Sequence, residues 1–550
     1  MRMDQDRAFP TLTAGQIARI ASHGHRRMVA RGDVLVQAGD PVVPFFIVVN
    51  GAIEAVRPTT ESGEVVVATH HAGQFSGEAN MITGRRAMGT LRVSEDGEVI
   101  ELDRERLMTL VQTDADLSDI FMRAFILRRA LLIDSHLGDV LLIGSVHCAG
   151  TLRIREFLTR NGHPFTYLDL DRDRVAQEML DRLHIPVADV PVLICRGDTF
   201  LRNPTNQQIA NCLGFNETID RTHVRDLVVI GAGPAGLAAA VYGASEGLDV
   251  LVVEANVAGG QAGASSRIEN YLGFPTGISG ELLTARAYAQ AQKFGAEIAI
   301  ANGGTNLACA RHPYAVTMDD GQQVPGKAVI IATGAQYRKP TIPNISNFEG
   351  AGIYYAATAM ERQLCGSEEV AVVGGGNSAG QAAVFLAEKC NRVHILVRGS
   401  GLADSMSRYL IRRIEDNPRI ELRTHTEIVG LEGGGHLERI QWRAKDSADV
   451  ETRDIRHVFM MTGAVPNTGW LKGCVVLDGK GFIKTGPDLS QEDLESAGWS
   501  LKRPPYLLET SRPGVFAVGD VRCGNVKRVA SAVGEGSIAV AFVHQVLQVN

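Results

Sequence analysis

Leu227-Val-Val-Ile-Gly-Ala-Gly-Pro-Ala-Gly-Leu-Ala-Ala-Ala240 is the stretch on which the reading of this chain turns. Four apolar residues predict a buried strand. Gly231, Gly233 and Gly236 then predict a tight turn, a close approach of backbone to a pyrophosphate, and a helix packed hard on the strand. Pro234 and Ala235 open that helix, whose free N–H groups and dipole favour phosphate. A second run, Asp249-Val-Leu-Val-Val-Glu254, ends in an acid 18 residues past Gly236, placed to accept from both ribose hydroxyls. Residues 227–245 carry no charge, which would also suit a membrane span; the glycine spacing and the flanking strands decide against it.

The pattern occurs twice. Glu369-Val-Ala-Val-Val-Gly374-Gly-Gly376-Asn377-Ser378-Ala379 again reads as strand, glycine turn and helix, followed by the strand Arg392-Val-His-Ile-Leu-Val397. Two such units imply two dinucleotides. The second strand runs into Arg398 instead of an acid, which suits a 2′-phosphate and favours NADPH over NADH.

A chain of 550 residues predicts three or four domains. Its net charge of −7 and the absence of a basic stripe argue against a nucleic-acid partner. The N-terminus, Met-Arg-Met-Asp-Gln-Asp-Arg, lacks the apolar core of a signal peptide, so a cytoplasmic protein with no membrane partner is expected. The eight cysteines are scattered and never spaced Cys-x-x-Cys, which predicts neither a zinc module nor a secreted disulfide framework; no metal site is expected.

Between Val34 and Glu101, short alternating runs broken by Gly, Asp and Pro predict a small β-roll. Phe75-Ser-Gly77-Glu78-Ala-Asn-Met-Ile-Thr-Gly84-Arg-Arg-Ala87-Met-Gly-Thr90 resembles the phosphate cassette of cyclic-nucleotide-binding domains. The resemblance implies that Glu78 holds a ribose hydroxyl. The arginine expected to pair with the cyclic phosphate is Ala87, with Arg86 one residue off as a substitute. A functional effector site and a purely structural roll both remain open. A helix is expected over 114–136. Beyond it, Val140–Ile143, Thr151–Arg160, Phe165–Asp169 and Val190–Ile194 read as strand, helix, strand and strand, and resemble the thioredoxin and glutaredoxin folds. Their active-site loop would be Cys148-Ala-Gly-Thr151. Cys148 can form a mixed disulfide, but Thr151 cannot resolve one, and an idle packing thiol is the alternative.

Residues 224–550 resemble low-molecular-weight thioredoxin reductases. Gly259-Gly260-Gln261, Glu269-Asn270, Ala332-Thr333-Gly334, Gly514-Val-Phe-Ala-Val-Gly519-Asp520 and Lys527-Arg528-Val529 match flavin-contacting segments. The resemblance therefore implies FAD on Gly231, Gly233, Pro234, Ala235, Gly236, Glu254, Ala255, Gly260, Gln261, Asn270, Thr333, Gly334, Gly519, Asp520, Arg528 and Val529. It implies NADPH, or NADH, on Gly374, Gly376, Asn377, Ser378, Ala379, Arg398 and Gly463, and a homodimer. The expected organisation is multidomain: a β-roll over 1–136, a thioredoxin-like α/β unit over 137–220, a Rossmann-like FAD unit over 224–347 and 458–550, and a Rossmann-like NAD(P)H unit over 348–457.

The departures from the family shape the functional reading. Its redox disulfide, Cys-Ala-Thr-Cys followed by an acid, falls on Ala356-Ala-Thr-Ala359 followed by Met360, so no internal dithiol relay is expected. Cys365 reads as an inert packing thiol. Gly399 and Ala403 replace two arginines of the NADPH pocket, and Arg408 or Arg412 is expected to compensate. The leading expectation is an oxidoreductase passing hydride from NAD(P)H to FAD and electrons onward to an unidentified acceptor. The alternatives are disulfide reduction through Cys148 or an external thiol protein, and a nucleotide or redox sensor with little turnover. A long segment, Gly486 to Thr510, reads as a lid, a subunit contact or a structural cover.

Overall fold

The computed structural model describes residues 7–59, 63–83, 85–134, 140–146, 148–182, 184–186, 189–195, 199–216, 219–445, 449–471 and 473–549. The roll is a six-stranded antiparallel sheet running from His25–Val29 to Thr90–Leu102, with Phe45–Thr59 paired along most of Thr90–Leu102. Its core is aromatic. Phe45, Phe75 and Phe121 meet with centroids 5.0–5.5 Å apart, Phe121 coming from the helix Ala115–Asp134 that follows the roll. Ser135 and His136, the expected end of that helix, lie outside the described residues.

The middle unit runs strand, helix, strand, helix, strand, strand, helix, from Val140–Gly144 to Asn206–Cys212. Val140–Gly144 is central, parallel to Thr166–Asp169 on one side and antiparallel to Val192–Cys195 on the other; Thr199–Arg202 closes the edge. In the Ala149–Arg160 helix, Thr151, Ile154, Phe157 and Leu158 are buried at helical spacing, which turns one face inward. The unit is not a bead on a string. Its Val140, Leu142, Phe157 and Phe215 belong to the same buried cluster as Leu227, Val229 and Val540. Asn216 bonds both backbone groups of Ile300 at 2.8 and 2.9 Å.

The first nucleotide sheet orders its strands Glu297–Ala299, Val250–Val253, Arg225–Ile230 and Gln323–Ile331, all parallel, and Val515–Ala517 returns from the C-terminus to pair with Gln323–Ile331. Leu227 to Ile230 are all buried, as an unbroken apolar run covered on both faces requires. The C-terminal helix Val529–Val549 is long and apolar enough over Val529–Gln548 to cross a membrane by length and composition. It lies against Pro234–Ser245 so closely that a Cβ on Gly536 would sit 2.2 Å from the carbonyl oxygen of Ala235.

The second nucleotide sheet is parallel throughout, in the order Ile353–Tyr354, His457–Met460, Glu369–Val373, Arg392–Leu396, Ile420–Arg423. The expected boundary at 457 therefore falls at the start of an inner strand of this sheet. The block is closed instead by the antiparallel pair Ala335–Tyr337 and Ala464–Pro466. Cys309 and Cys474, 165 residues apart, form a disulfide with Cα atoms 5.9 Å apart, a link that scattered single cysteines did not suggest. The 486–510 segment is a cover. Tyr506 stacks on Phe542 of the C-terminal helix at 5.0 Å, and the fully buried Glu509 takes a fork of bonds from Arg503.

Candidate functional site

A cleft of about 2160 Å³ opens between the two nucleotide sheets, and both glycine turns face it. The turns are built alike. Gly231 (φ +105°) and Gly374 (φ +144°) each hold a backbone conformation that strains other residues, and a Cβ on either would lie 2.4 Å from a carbonyl oxygen, of Ala332 and Met461 respectively. Gly233 and Gly376 cap the following helices without a side-chain bond, and a Cβ on either would find its nearest neighbour 4.0 Å away. Unsatisfied N–H groups thus face open space at two helix starts, the arrangement that a dinucleotide diphosphate fits. Gly236 and Ala379 are not in the wall. A Cβ on Gly236 would lie 1.8 Å from the Gly231 carbonyl oxygen, and Ala379 is fully buried, so both serve helix packing.

Glu254 lies at the far end of the first turn and accepts from the backbone N–H of Ala232 (2.8 Å) and Asn256 (2.9 Å). Burial nevertheless raises its pKa above the ordinary carboxylate value. Ala255, Gly260, Gln261, Asn270, Thr333, Gly334, Gly519, Asp520, Arg528 and Val529 line the same wall. Burial raises Asp520 as well, against the opposing charge of Lys527. Thr333 and Asn467 tie the two crossover points together, Thr333 Oγ1 donating to the Asn467 carbonyl and Asn467 Nδ2 to the Thr333 carbonyl, both at 2.9 Å.

On the second turn, Asn377, Ser378, Arg398 and Gly463 line the cleft, with Arg398 exposed. Asn377 Oδ1 accepts from the Ser407 N–H at 2.7 Å. Arg408 and Arg412, expected to compensate for Gly399 and Ala403, sit on the Arg408–Glu415 helix outside the wall. The next arginine of that helix instead joins the two units: Arg413 donates to Glu269 at 2.6 Å. Tyr337, whose hydroxyl pKa is raised by burial, faces Ser378 across the same divide.

Ala356, at the first cysteine position of the family pattern, and its neighbour Ala357 line the cleft. Sequence reasoning missed an acid here. Glu361, one residue beyond Met360, also lines the cleft; its carboxylate accepts from the Thr358 N–H at 2.8 Å, and burial raises its pKa. Cys365 is fully buried with Cys390 as its neighbour, and their contact together with burial pushes the Cys365 thiol up. Neither of these, nor the Cys309–Cys474 pair, is in the wall.

A third wall comes from the middle unit: Ala149, Leu152, Arg153, Glu156 and Arg160 of its first helix face the cleft. Cys148 is the N-cap of that helix, half-buried and making no side-chain cap bond. The next residue, Ala149, packs so closely that a Cβ on Gly350 would lie 2.8 Å from its methyl. No motif encoded this meeting of units, because helix faces give burial but not the identity of the neighbour.

In the roll, the candidate effector residues are engaged by the chain itself. Glu78, 2% exposed, accepts two bonds of 2.9 Å from Arg128, 8% exposed, on the Ala115–Asp134 helix. Arg128 also donates to the carbonyls of Ala8 and Phe75. Arg86 donates to the Gly39 carbonyl at 3.4 Å, and Ala87 is in the roll's core.

A family model described as pyridine nucleotide-disulphide oxidoreductase matches residues 225–536, over half of the chain. The chain belongs to that family. A cyclic nucleotide-binding domain model matches residues 26–114 ahead of it. Among relatives of this oxidoreductase, the thioredoxin reductase of Ureaplasma parvum is 31% identical over 330 residues, 60% of this chain and 98% of the relative. That of Bacillus subtilis is 30% identical, over 59% and 95%. The NADPH-dependent thioredoxin reductase 3 of Arabidopsis thaliana is 30% identical over 64% of this chain and 66% of its own length. Thioredoxin reductases of known structure from Lactococcus lactis, in its FR conformation, and T. acidophilum match 59% of this chain at 26% and 27% identity, covering 100% and 99% of their own lengths, with TM-scores of 0.53 and 0.52. Members of this thioredoxin-reductase-like oxidoreductase family use FAD and NADPH, and the two turns of the cleft fit both.

Proposed function

We propose that the chain is an FAD-dependent NADPH oxidoreductase whose electrons leave to an acceptor other than a disulfide of its own cleft. The observation that carries this reading is the pairing of two open dinucleotide turns with a wall in which Ala356 stands at the first cysteine position of the family pattern. FAD bound here would supply a ring able to accept a hydride equivalent from the nicotinamide and to pass the electrons on. The residues present bind and orient. Glu254 would hold a ribose, Arg398 would offer its charge to a 2′-phosphate, and the Glu269–Arg413 contact ties the two units together. Anaerobic titration with NADPH should bleach the flavin band, and a panel of quinones, oxygen and disulfides should then identify the acceptor. An unchanged spectrum with both NADPH and NADH refutes the reading, as does turnover confined to an internal disulfide.

A second reading keeps the thiol chemistry but moves it to Cys148, on a middle unit whose strand order resembles that of glutaredoxin-type folds. It is favoured by the position of the helix that Cys148 opens, one face of which is a wall of the flavin cleft. The thiolate would attack an external disulfide, releasing one thiol, and two electrons of NADPH passed on through the flavin would cleave the mixed disulfide, releasing the second thiol and restoring Cys148. Unchanged NADPH-dependent disulfide reduction in C148S removes this reading.

A further inference from the structure

We propose that Arg160, which belongs to the middle unit and to neither nucleotide unit, is a binding residue for the diphosphate and ribose of FAD. Two hydrogen bonds fix its position. Its side chain is 15% exposed, and Nη2 donates to the carbonyl of Gly260 at 2.9 Å and of Ala258 at 3.5 Å. A Cβ built on Gly263 would lie 3.0 Å from the same nitrogen. Gly260 is in turn against Gly233: a Cβ on Gly260 would be 3.2 Å from the Gly233 Cα, and Gly233 caps the helix start that faces the diphosphate. The positive charge of Arg160 also reaches Glu254, on the ribose side, and works against the rise in its pKa.

The charge is available. Its single carboxylate partner among the described residues is Glu156, one helical turn away at 3.1 Å and itself 44% exposed, so water screens part of that attraction. Arg153, which also faces the cleft, is by contrast engaged by Asn203, Pro204 and Asn206 of its own unit. A guanidinium matches the paired oxygens of a diphosphate better than any other side chain. The helix end that carries Arg160 is held from behind as well: the carbonyl of Asn161 accepts from Arg85 of the cassette at 3.2 Å and from Arg129. The flavin site is thus completed by a unit that the minimal reductase pattern lacks.

The test uses the full-length apoprotein, titrated with FAD, ADP and riboflavin, in wild type, R160M and R160K. R160M should weaken FAD and ADP about tenfold to a hundredfold, the range of one charge-assisted hydrogen bond, and leave riboflavin, which has neither phosphate nor adenosine, unchanged. R160K should fall between. Equal FAD affinity in wild type and R160M overturns the proposal, and so do equal losses for FAD and riboflavin. Should R160M not fold, R160K decides by its ratio of FAD to riboflavin affinity: a drop is expected, and an unchanged ratio overturns the assignment. The readout is binding without an acceptor, so its outcome is independent of how electrons leave the flavin.

Discussion

The Glu78–Arg128 pair makes a sharp prediction about the roll. For a cyclic nucleotide to use Glu78 as its ribose acceptor, the carboxylate must let go of Arg128, leaving a guanidinium 8% exposed among the Phe9 and Phe75 rings. Breaking a buried pair by removing one partner costs about 3–5 kcal/mol, which weakens a ligand's affinity by about two to four orders of magnitude. A site of ordinary micromolar strength would then bind in the range of about 0.1–10 mM. Titration calorimetry with cyclic AMP and cyclic GMP should show no saturable heat at micromolar ligand. The variant R128M removes the competitor but strands Glu78. It should lower the roll's melting transition by about 4–8 °C for each kcal/mol lost, and R128M/E78L should recover most of that loss. Micromolar binding by the wild-type chain, or an R128M variant as stable as wild type, refutes the reasoning.

Other outcomes follow from the same geometry. His70 is buried beside Arg128 and His71, and burial lowers its pKa from 6.5 to about 3. The unfolded chain therefore binds this proton first, so stability is full above pH 6.5 and falls by up to ~1.4 kcal/mol per unit as the pH drops from there towards 3; urea unfolding at pH 7 and 5 should show a smaller difference in H70L. R398A should raise the KM for NADPH about tenfold or more and leave that for NADH unchanged, since only one of the two carries a 2′-phosphate. Peptide mapping without reductant should recover residues 309 and 474 in one linked fragment, and C474S should lower stability by about 2–4 kcal/mol.

Both glycine turns were legible because their geometry admits so few residues: a side chain on Gly231 or Gly374 would strike a carbonyl. The strands around them were legible as unbroken apolar runs. Gly236 serves the helix packing that its place in the motif predicts, and Ala379 is buried in the same way at the second turn; neither lines the cleft, although the family resemblance implied nucleotide contact for both. What lay beyond reach was everything set by the meeting of distant segments. Arg160 and Glu361 carry no pattern of their own; one faces the cleft because its helix packs against another unit, the other because a turn brings it back to Thr358. Arg128 lies 50 residues from Glu78, and nothing in the cassette announces an internal cation. The boundary at 457 falls on an inner strand because the parallel pairing of His457–Met460 with Glu369–Val373 joins segments more than eighty residues apart, which no local pattern announces.

The Cys309–Cys474 link lies outside the pair Ala335–Tyr337 and Ala464–Pro466, so the whole second nucleotide unit hangs within a covalent ring anchored on the first. Such a ring sets a covalent limit on how far the unit can depart should the Glu269–Arg413 contact open. A protease that cuts anywhere between the two cysteines would yield a nicked chain that still migrates as one species, and only a reductant would let the pieces part.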